Sequence, residues 1–514
     1  MLVKTFGSAV SGIRATMVTV EVYMDQGIQF FMVGLPDNAV KESHQRIESA
    51  LRTNGYRIPG KKIIINLAPA DIRKEGSSYD LTIAMAILGA NEVIRTDKLE
   101  QYMIMGELSL DGGLLPIKGA LPIAIEARNR GFKGILLPAQ NAREASMVSG
   151  LEVYGIESLR EVIGFFNETV PLQTTLLNAT DEFSHQDSQY EYDFADVRGQ
   201  ENIKRALEIA AAGGHNAILI GPPGAGKTML AKRLPSILPP LNLQEALETT
   251  KIHSVAGKLG PNRALVVKRP FRAPHHTISD MALVGGGGIP QPGEISLSHN
   301  GVLFLDELPE FRRSVLEVLR QPMEDRVITI SRARITLEYP ASFMLVAAMN
   351  PCPCGYYNHP AMQCQCGGGE VQKYLNRISG PLFDRIDIHI EVVPVDFKKL
   401  SDCRQSERSE VIRGRVIAAR KIQEKRFEAL TGTYCNSQIP SRILRQVCSL
   451  SESGNQLLKT AMEKLGLSAR AYDRILKVSR TIADLESSVE IKIEHLAEAI
   501  NYRSLDRDNW GASR

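Results

Sequence analysis

Eight consecutive residues, Gly221-Pro222-Pro223-Gly224-Ala225-Gly226-Lys227-Thr228, carry the most specific chemistry in the chain. Glycines at this spacing let backbone N–H groups turn inward around an anion, the lysine reaches the outer phosphates of a nucleotide, and the threonine hydroxyl is a ligand for Mg2+. Asp306 and Glu307 close the apolar run Val302-Leu303-Phe304-Leu305. Carboxylates at the C-terminal tip of a buried strand lie where α/β sheets bind ligands, so Asp306 is expected in the Mg2+ shell and Glu307 beside the attacking water, which it orients and polarises. Asn350 ends Ala347-Ala348-Met349-Asn350 and offers an amide at another strand tip, suited to sensing the γ-phosphate. Alone, two acids after an apolar run mark a strand meeting solvent, and Asn-Pro marks a turn; joined to the glycine loop they describe ATP hydrolysis with Mg2+.

These groups require a parallel sheet with alternating helices. The pattern supplies a helix over 201–212, a strand Ala217 to Ile220, the glycine turn with a helix opening at Thr228, then strands Val302 to Leu305 and Phe343 to Ala348. This ATPase unit is expected over 194–395. Ahead of it, residues 1–170 read as a mixed unit, with strands at Met17 to Tyr23, Ile28 to Val33 and Ile63 to Leu67. A helix capped by Asp37-Asn38 runs through Leu51, and Asp80 to Leu88 is an apolar helix. Residues 171–193 are polar and acidic without a sustained period, as a linker is, and 396–514 are helical and basic, with Arg413, Arg415, Arg420, Lys421, Lys425 and Arg426 in one segment. No repeat of solenoid period is visible.

Composition agrees with this class. At 514 residues, 43% hydrophobic and 23% charged, the chain has the make-up of a multidomain globular protein, which excludes collagen-like, disordered and membrane-embedded classes. A net charge of +3 gives no overall nucleic-acid footprint, so any DNA contact must come from local patches. Lys4, Arg14 and Glu21 interrupt the N-terminal segment before an export signal could form, and the longest apolar stretch, Leu81 to Ala90, is about half a bilayer span. A cytoplasmic protein without a membrane anchor is expected.

Four of the seven cysteines, Cys352, Cys354, Cys364 and Cys366, fall within one short segment. Four thiolates can close a tetrahedral zinc site of structural type, although one intervening residue in each pair is tighter than the usual two to four. The alternative is a reduced, unligated cluster. Cys403, Cys435 and Cys448 are scattered and read as core or surface residues.

The motifs GPPGAGKT, FRAPHHT (271–277), GEISLSHNGVLFLDELPEF (293–311), AAMNPCPCG (347–355) and RISGPLFDRIDIHIEV (377–392), with GLPDNAVKESHQRIESALRTNGYRIPGKKIIINLAPADIRKEGSSYDL near the N-terminus, resemble the magnesium-chelatase-like AAA+ proteins of bacteria, the YifB/ComM family. The resemblance runs the length of the chain. It implies an α/β protein with a Lon-protease-like α+β N-terminal domain, an AAA+ core and a C-terminal helical lid. It also implies a hexameric motor on single-stranded or branched DNA, acting in branch migration and, in some bacteria, natural transformation.

On these motifs the trans-acting arginine finger falls on Arg385, with Arg377 its competitor, and the second sensor on Arg470. Val284 to Pro290 is similar to the tip of the family's helix-2 insertion. Residues 327–338 alternate as a hairpin carrying Arg332 and Arg334, facing either a DNA-lined channel or simply solvent. His275 and His276 are a family mark, more in keeping with structure than with metal.

Lys-Glu-Gly-Ser-Ser-Tyr-Asp (74–80) resembles the serine motif of Lon-type proteases with Ser78 in the nucleophile's place, and Leu115-Pro116-Ile117-Lys118-Gly119 resembles the approach to their lysine. The lysine motif itself is replaced by Ala120-Leu121-Pro122-Ile123-Ala124, so a Lon-like fold without proteolysis is expected. Competing readings of the whole chain are a metal-chelatase motor subunit and a protein-remodelling machine.

Overall fold

The computed structural model describes residues 2–177, 183, 190–260, 263–287, 290–332, 335–357, 359, 361–394, 406–430 and 432–503. The N-terminal part is a seven-stranded mixed sheet. Its strands are β1 (Leu2–Ser11), β2 (Arg14–Asp25), β3 (Phe30–Val33), β4 (Lys62–Ala68), β5 (Tyr102–Ile104), β8 (Gly134–Pro138) and β9 (Glu152–Ile156), in the order β3-β4-β2-β1-β5-β8-β9. The short strands β6 (Glu107–Leu108) and β7 (Leu114–Leu115) pair beside it. β1, β2 and β4 are antiparallel neighbours, whereas β5, β8 and β9 run parallel. Inward side chains of β2 alternate with outward ones, the period that buries Val18, Val20, Val22 and Met24 on one face.

The helix Asn38–Thr53 is capped by Asp37, whose carboxylate accepts from the Val40 amide, as the Asp-Asn signal predicts. Asp80–Ala90 is apolar on all sides because all sides are covered: every one of its residues is buried. Of the segment expected as a linker, residues 171–177 have no regular structure and pack Leu172 and Leu177 against apolar cores, while 178–182 and 184–189 lie outside the described residues.

The second sheet has five strands, all parallel: β10 (Ala217–Ile220), β11 (Phe271–Arg272), β14 (Val302–Leu305), β17 (Met344–Met349) and β18 (Ile388–Glu391), in the order β11-β14-β17-β10-β18. Three of these are the strands expected from the sequence. β11 and β18 are additions, the first too short to show a period and the second embedded in a charged segment. Side chains of β10, β14 and β17 are buried on both faces, the condition that makes parallel strands read as unbroken apolar runs. Between β11 and β14 lies the small pair β12 (Gly285–Gly286) and β13 (Gln291–Pro292).

β15 (Val327–Arg332) and β16 (Ile335–Pro340) form the expected hairpin; Arg334 lies outside the described residues, as do the side chain of Arg332 and, in the segment 284–290, Gly288 and Ile289.

The C-terminal helices Ser409–Phe427, Ser441–Val447, Glu452–Leu465, Ala469–Leu485 and Ile493–Asn501 share one core with the helix Glu201–Gly213 and one face of the sheet. A buried polar knot ties them to the strands. Asp387 accepts from Arg474 at 2.7 Å and from the Asn216 amide at 3.0 Å, with His215 3.4 Å away.

The N-terminal sheet is joined to this unit by a common apolar core, in which Ile117, Leu121 and Ile123 meet Leu241, Ala246 and Leu265. The Gly119 amide donates to Ser254 O, and Ile13, at the β1–β2 turn, packs into the core beneath the hairpin. Among the described residues no helix is long and apolar enough to cross a membrane.

Candidate functional site

The P-loop links the end of β10 to the helix Lys227–Arg233. Two of its glycines, Gly224 and Gly226, adopt φ of +75° and +86°, which L side chains rarely take. A Cβ on Gly224 would meet no atom within 4 Å, so this exposed position needs glycine for its backbone angle alone, whereas a Cβ on Gly221 would collide with Val392 O at 2.2 Å. The first glycine is therefore required by the chain that follows β18 and the second by the left-handed turn that a phosphate-binding loop makes. Gln200, itself in the left-handed region, donates from Nε2 to Ala225 O at 3.0 Å and steadies the loop from behind.

Sheet order then gathers the remaining groups. β17 separates β10 from β14, and all three end on the same edge because they run parallel. Thr228 Oγ1 donates to Asp306 Oδ2 at 2.6 Å. Lys227 Nζ donates to Gly221 O at 2.7 Å, to Pro222 O at 2.9 Å and to Asn350 Oδ1 at 3.0 Å. Burial pushes the Lys227 ammonium below its ordinary range, while Asp306 and Glu307 pull the other way. Thr228 and Asp306 supply the hard oxygen donors that Mg2+ prefers, and their 2.6 Å contact shows that one ion can touch both. Six residues expected from three separate motifs (Gly224, Lys227, Thr228, Asp306, Glu307 and Asn350) thus share one site.

Glu307 is distinctive. It sits at φ +52°, an energetically unfavourable backbone for a glutamate, and its side chain is 58% exposed. Its Oε2 lies 3.2 Å from His276 Nδ1. The ring of His276 stacks near His275 at 4.1 Å, and His275 Nδ1 is 2.9 Å from Thr277 Oγ1. His276 is the polar neighbour that sequence reading left without a role. Its signal, the FRAPHHT motif, is legible only once β11 is known to lie beside β14, which carries residues 275–276 to the end of the strand bearing the carboxylates.

The three arginines singled out in the sequence are placed differently. Arg385 is buried, with Nη2 2.7 Å from Glu324 Oε1 and Nη1 donating to Pro381 O. Its partner is neither Asp384 nor Asp387, the neighbours in sequence. Arg377 is half exposed and donates to Glu310 at 2.9 and 3.0 Å and to Pro309 O at 3.3 Å. Arg470 stands exposed in the first turn of the helix Ala469–Leu485, with no ion pair or hydrogen bond among the described residues. Among the described residues none of the three makes a hydrogen bond or ion pair to residues 221–228 of its own chain.

The four cysteines converge. Cys352 Sγ is 3.3 Å from Cys354 Sγ and 3.7 Å from Cys364 Sγ, Cys354 Sγ is 3.5 Å from Cys364 Sγ, and Cys366 Sγ accepts from the Cys354 amide at 3.4 Å. All four sulfurs lie within 4.8 Å of one another, so the narrow pair spacing does not prevent a common shell, and the cluster could bind zinc. Cys435 and Cys448 are buried elsewhere, and Cys403 lies outside the described residues.

In the N-terminal unit Ser78 is half-buried ahead of the helix Asp80–Ala90, while Lys118 is exposed and lays its chain against Gly257. Among the described residues the two form no hydrogen bond with each other. Asp80 is instead a structural anchor, gripped by Arg46 at 2.7 and 2.9 Å, and burial raises its carboxyl to about 6 against that pull.

Parallel sheet, phosphate cradle and helical C-terminal region define a magnesium-chelatase-like AAA+ protein. Three family models agree: "Subunit ChlI of Mg-chelatase" over 20–141, "Magnesium chelatase, subunit ChlI" over 193–400 and "Magnesium chelatase, subunit ChlI C-terminal" over 406–503. The chain is 45% identical to the YifB protein of Salmonella typhimurium, covering 97% of this chain and 96% of that one. It is 44% identical to "Competence protein ComM" of Haemophilus influenzae, covering 98% and 97%. It therefore belongs to the YifB/ComM family. A shorter stretch, 34% of this chain, is 30% identical to "Lon protease 2" of Bacillus subtilis.

Proposed function

We propose that the chain is an ATP-hydrolysing AAA+ motor that works as a hexameric ring on single-stranded or branched DNA, driving branch migration or strand separation. The observation that carries ATP hydrolysis is the convergence of Lys227, Thr228, Asp306 and Asn350 on one edge of the sheet. In this reading the P-loop amides from Gly221 to Thr228 and the Lys227 ammonium hold the phosphates. Thr228 and Asp306 hold Mg2+, which would neutralise charge on the phosphate oxygens. Glu307 takes a proton from, and aims, the attacking water, and Asn350 positions the γ-phosphate through its amide. The strained backbone of Glu307 supports this role, since such strain is commonly kept at working sites.

Among the described residues Arg377, Arg385 and Arg470 make no hydrogen bond to their own P-loop, so in this reading a transition-state guanidinium would come from a neighbouring subunit. Arg385 would have to leave Glu324, whereas Arg377 already stands at the surface on Glu310. Arg470 is open to serve as the second sensor once subunits meet. The cysteine cluster would hold a structural zinc. The DNA assignment is supported by the full-length similarity to a competence protein. Contacts from 284–290 and from the hairpin that bears Arg332 and Arg334 would follow phosphates, independent of sequence.

The test is steady-state ATPase of wild type and Lys227→Ala, with and without single-stranded and forked DNA, at two salt concentrations. A salt-sensitive stimulation by forked DNA that the variant lacks is the expected result. Turnover in wild type that is indifferent to DNA would transfer the assignment to a chelatase-like or protein-remodelling motor.

A further inference from the structure

The cysteine loop is wired to the nucleotide site at both ends. Cys352 follows β17 directly, two residues after Asn350, whose side chain accepts from Lys227. Cys366 precedes the helix Gly368–Leu375, and on that helix the Tyr374 hydroxyl lies beside the Asn350 backbone. Between them the loop touches the phosphate cradle. Gly355 has φ +85°, and a Cβ there would come within 2.4 Å of Pro223 Cδ and 2.8 Å of its Cγ. This turn of the loop is therefore pressed against the P-loop, at a distance only glycine permits.

The sulfurs fit a specific metal. Zinc–thiolate bonds of about 2.3 Å in a tetrahedron set neighbouring sulfurs about 3.8 Å apart. The recorded separations of 3.3, 3.5 and 3.7 Å approach that edge length from below, so a small outward adjustment seats the ion. Backbone amides already face the sulfurs, Tyr357 N at 3.3 Å from Cys352 Sγ and Cys354 N at 3.4 Å from Cys366 Sγ, in the manner of the outer-shell bonds that orient metal-bound thiolates. Without a metal, four converging thiols make only weak mutual bonds.

We infer that a zinc ion held by Cys352, Cys354, Cys364 and Cys366 sets the affinity of the P-loop for nucleotide, acting through the contact of Gly355 with Pro223 and the tether on Asn350. The inference rests on the reading of residues 221–228 as the nucleotide cradle. Zinc here does no chemistry; it makes the loop a rigid backstop, so that the P-loop is preorganised before phosphate arrives. Removing the metal lets the backstop relax, and the cost of ordering it is then taken out of nucleotide binding.

The experiment measures zinc content by mass spectrometry and the Kd of a fluorescent ATP analogue, with Mg2+ present, on the full chain. Wild type should contain about one zinc per chain, and stripping it with 1,10-phenanthroline should weaken the analogue about tenfold, with recovery on adding zinc back. Cys364→Ser combined with Cys366→Ser should lose zinc and show the same weakening. Gly355→Ala should keep zinc yet bind the analogue about tenfold more weakly, because the methyl displaces Pro223. Should the double cysteine variant fail to fold by circular dichroism, the stripped protein and Gly355→Ala decide the matter.

Protein that takes up no zinc even when it is supplied, or stripped protein with unchanged Kd, overturns the inference. An unchanged Kd in Gly355→Ala overturns the route through Pro223. Lys227→Ala separates the two levels: it should retain zinc and lose the analogue, and if it binds normally the cradle assignment itself has failed.

Discussion

His276 Nδ1 and Glu307 Oε2 lie 3.2 Å apart, joining a loop that follows β11 to a residue just beyond the end of β14. This contact restrains a glutamate whose own backbone is strained and whose side chain is otherwise largely in solvent. A water-activating carboxylate gains from such restraint, because a small error in its direction lowers the rate without touching substrate affinity.

Replacing His276 with Ala should therefore lower kcat about tenfold while leaving KM for ATP unchanged, in line with the loss of one hydrogen bond to a charged group. His276→Gln, which can still donate, should recover part of the rate. Steady-state kinetics on the two variants decides it, and an unaltered kcat in His276→Ala would leave the contact without a catalytic consequence.

Lys227→Ala and Glu307→Gln should separate binding from hydrolysis. The first removes the ammonium that spans the cradle and Asn350, so nucleotide binding should be lost. The second keeps shape and hydrogen bonding but cannot accept the water's proton, so ATP should bind while turnover falls about 10²-fold or more. Filter binding with radiolabelled ATP, alongside turnover, provides the check; normal turnover in either variant would displace the site.

Arg377 and Arg385 should differ in stability as well as activity. Arg385 is buried on Glu324, so Arg385→Ala should lower Tm, whereas the exposed pair of Arg377 with Glu310 is worth at most about 1 kcal/mol and Arg377→Ala should melt like wild type. Whichever is the trans-acting finger should lose activity alone and regain part of it in rings mixed with Glu307→Gln subunits. Rescue of Arg385→Ala would keep the finger there, and rescue of Arg377→Ala alone would move it.

The polar knot predicts acid sensitivity. His215 and His389 are fully buried, and burial holds both imidazoles below their ordinary range, with Arg474 and Lys477 facing the first, Arg503 the second and Asp387 both. Unfolded chains bind these protons below about pH 6.5 and the folded chain does not, so stability should be complete above that pH and fall as pH drops, by up to about 1.4 kcal/mol per pH unit per group. Asp387 acts in the same direction lower down: burial opposes its ionisation, but Arg474 and the Asn216 amide overcome this and hold it below the usual carboxylate range. Denaturation midpoints at pH 7.5 and 5.5 should differ accordingly, and His215→Gln should flatten the slope if it folds. Equal midpoints at the two pH values would count against the buried neutral imidazoles.

Asp387→Ala tests the same knot directly. It leaves the Arg474 guanidinium and the Asn216 amide without their acceptor in a buried setting, which should cost about 3–5 kcal/mol. Urea denaturation at neutral pH reads this, and a loss under 1 kcal/mol would mean that solvent reaches the pair.

The sequence by itself determined the chemistry of the cradle and the type of the long elements. GPPGAGKT requires its glycines locally, Asp37 caps its helix through a bond to a residue three positions on, and the buried runs 217–220 and 302–305 declare strands because both of their faces are covered. These are short-range demands, and side-chain spacing records them. Tertiary structure alone decided which distant residues meet. β11 and β18 are too brief or too polar to show a period, yet the first brings His276 to Glu307 and the chain that follows the second forces glycine at position 221. The motif resemblance placed the finger on Arg385, but only folding shows it buried on Glu324, 61 positions away by residue number (385 − 324). The closeness of Gly355 to Pro223 was equally invisible, because a contact across a sheet edge leaves no periodic mark in either segment; it exists only once parallel strands have brought their ends together.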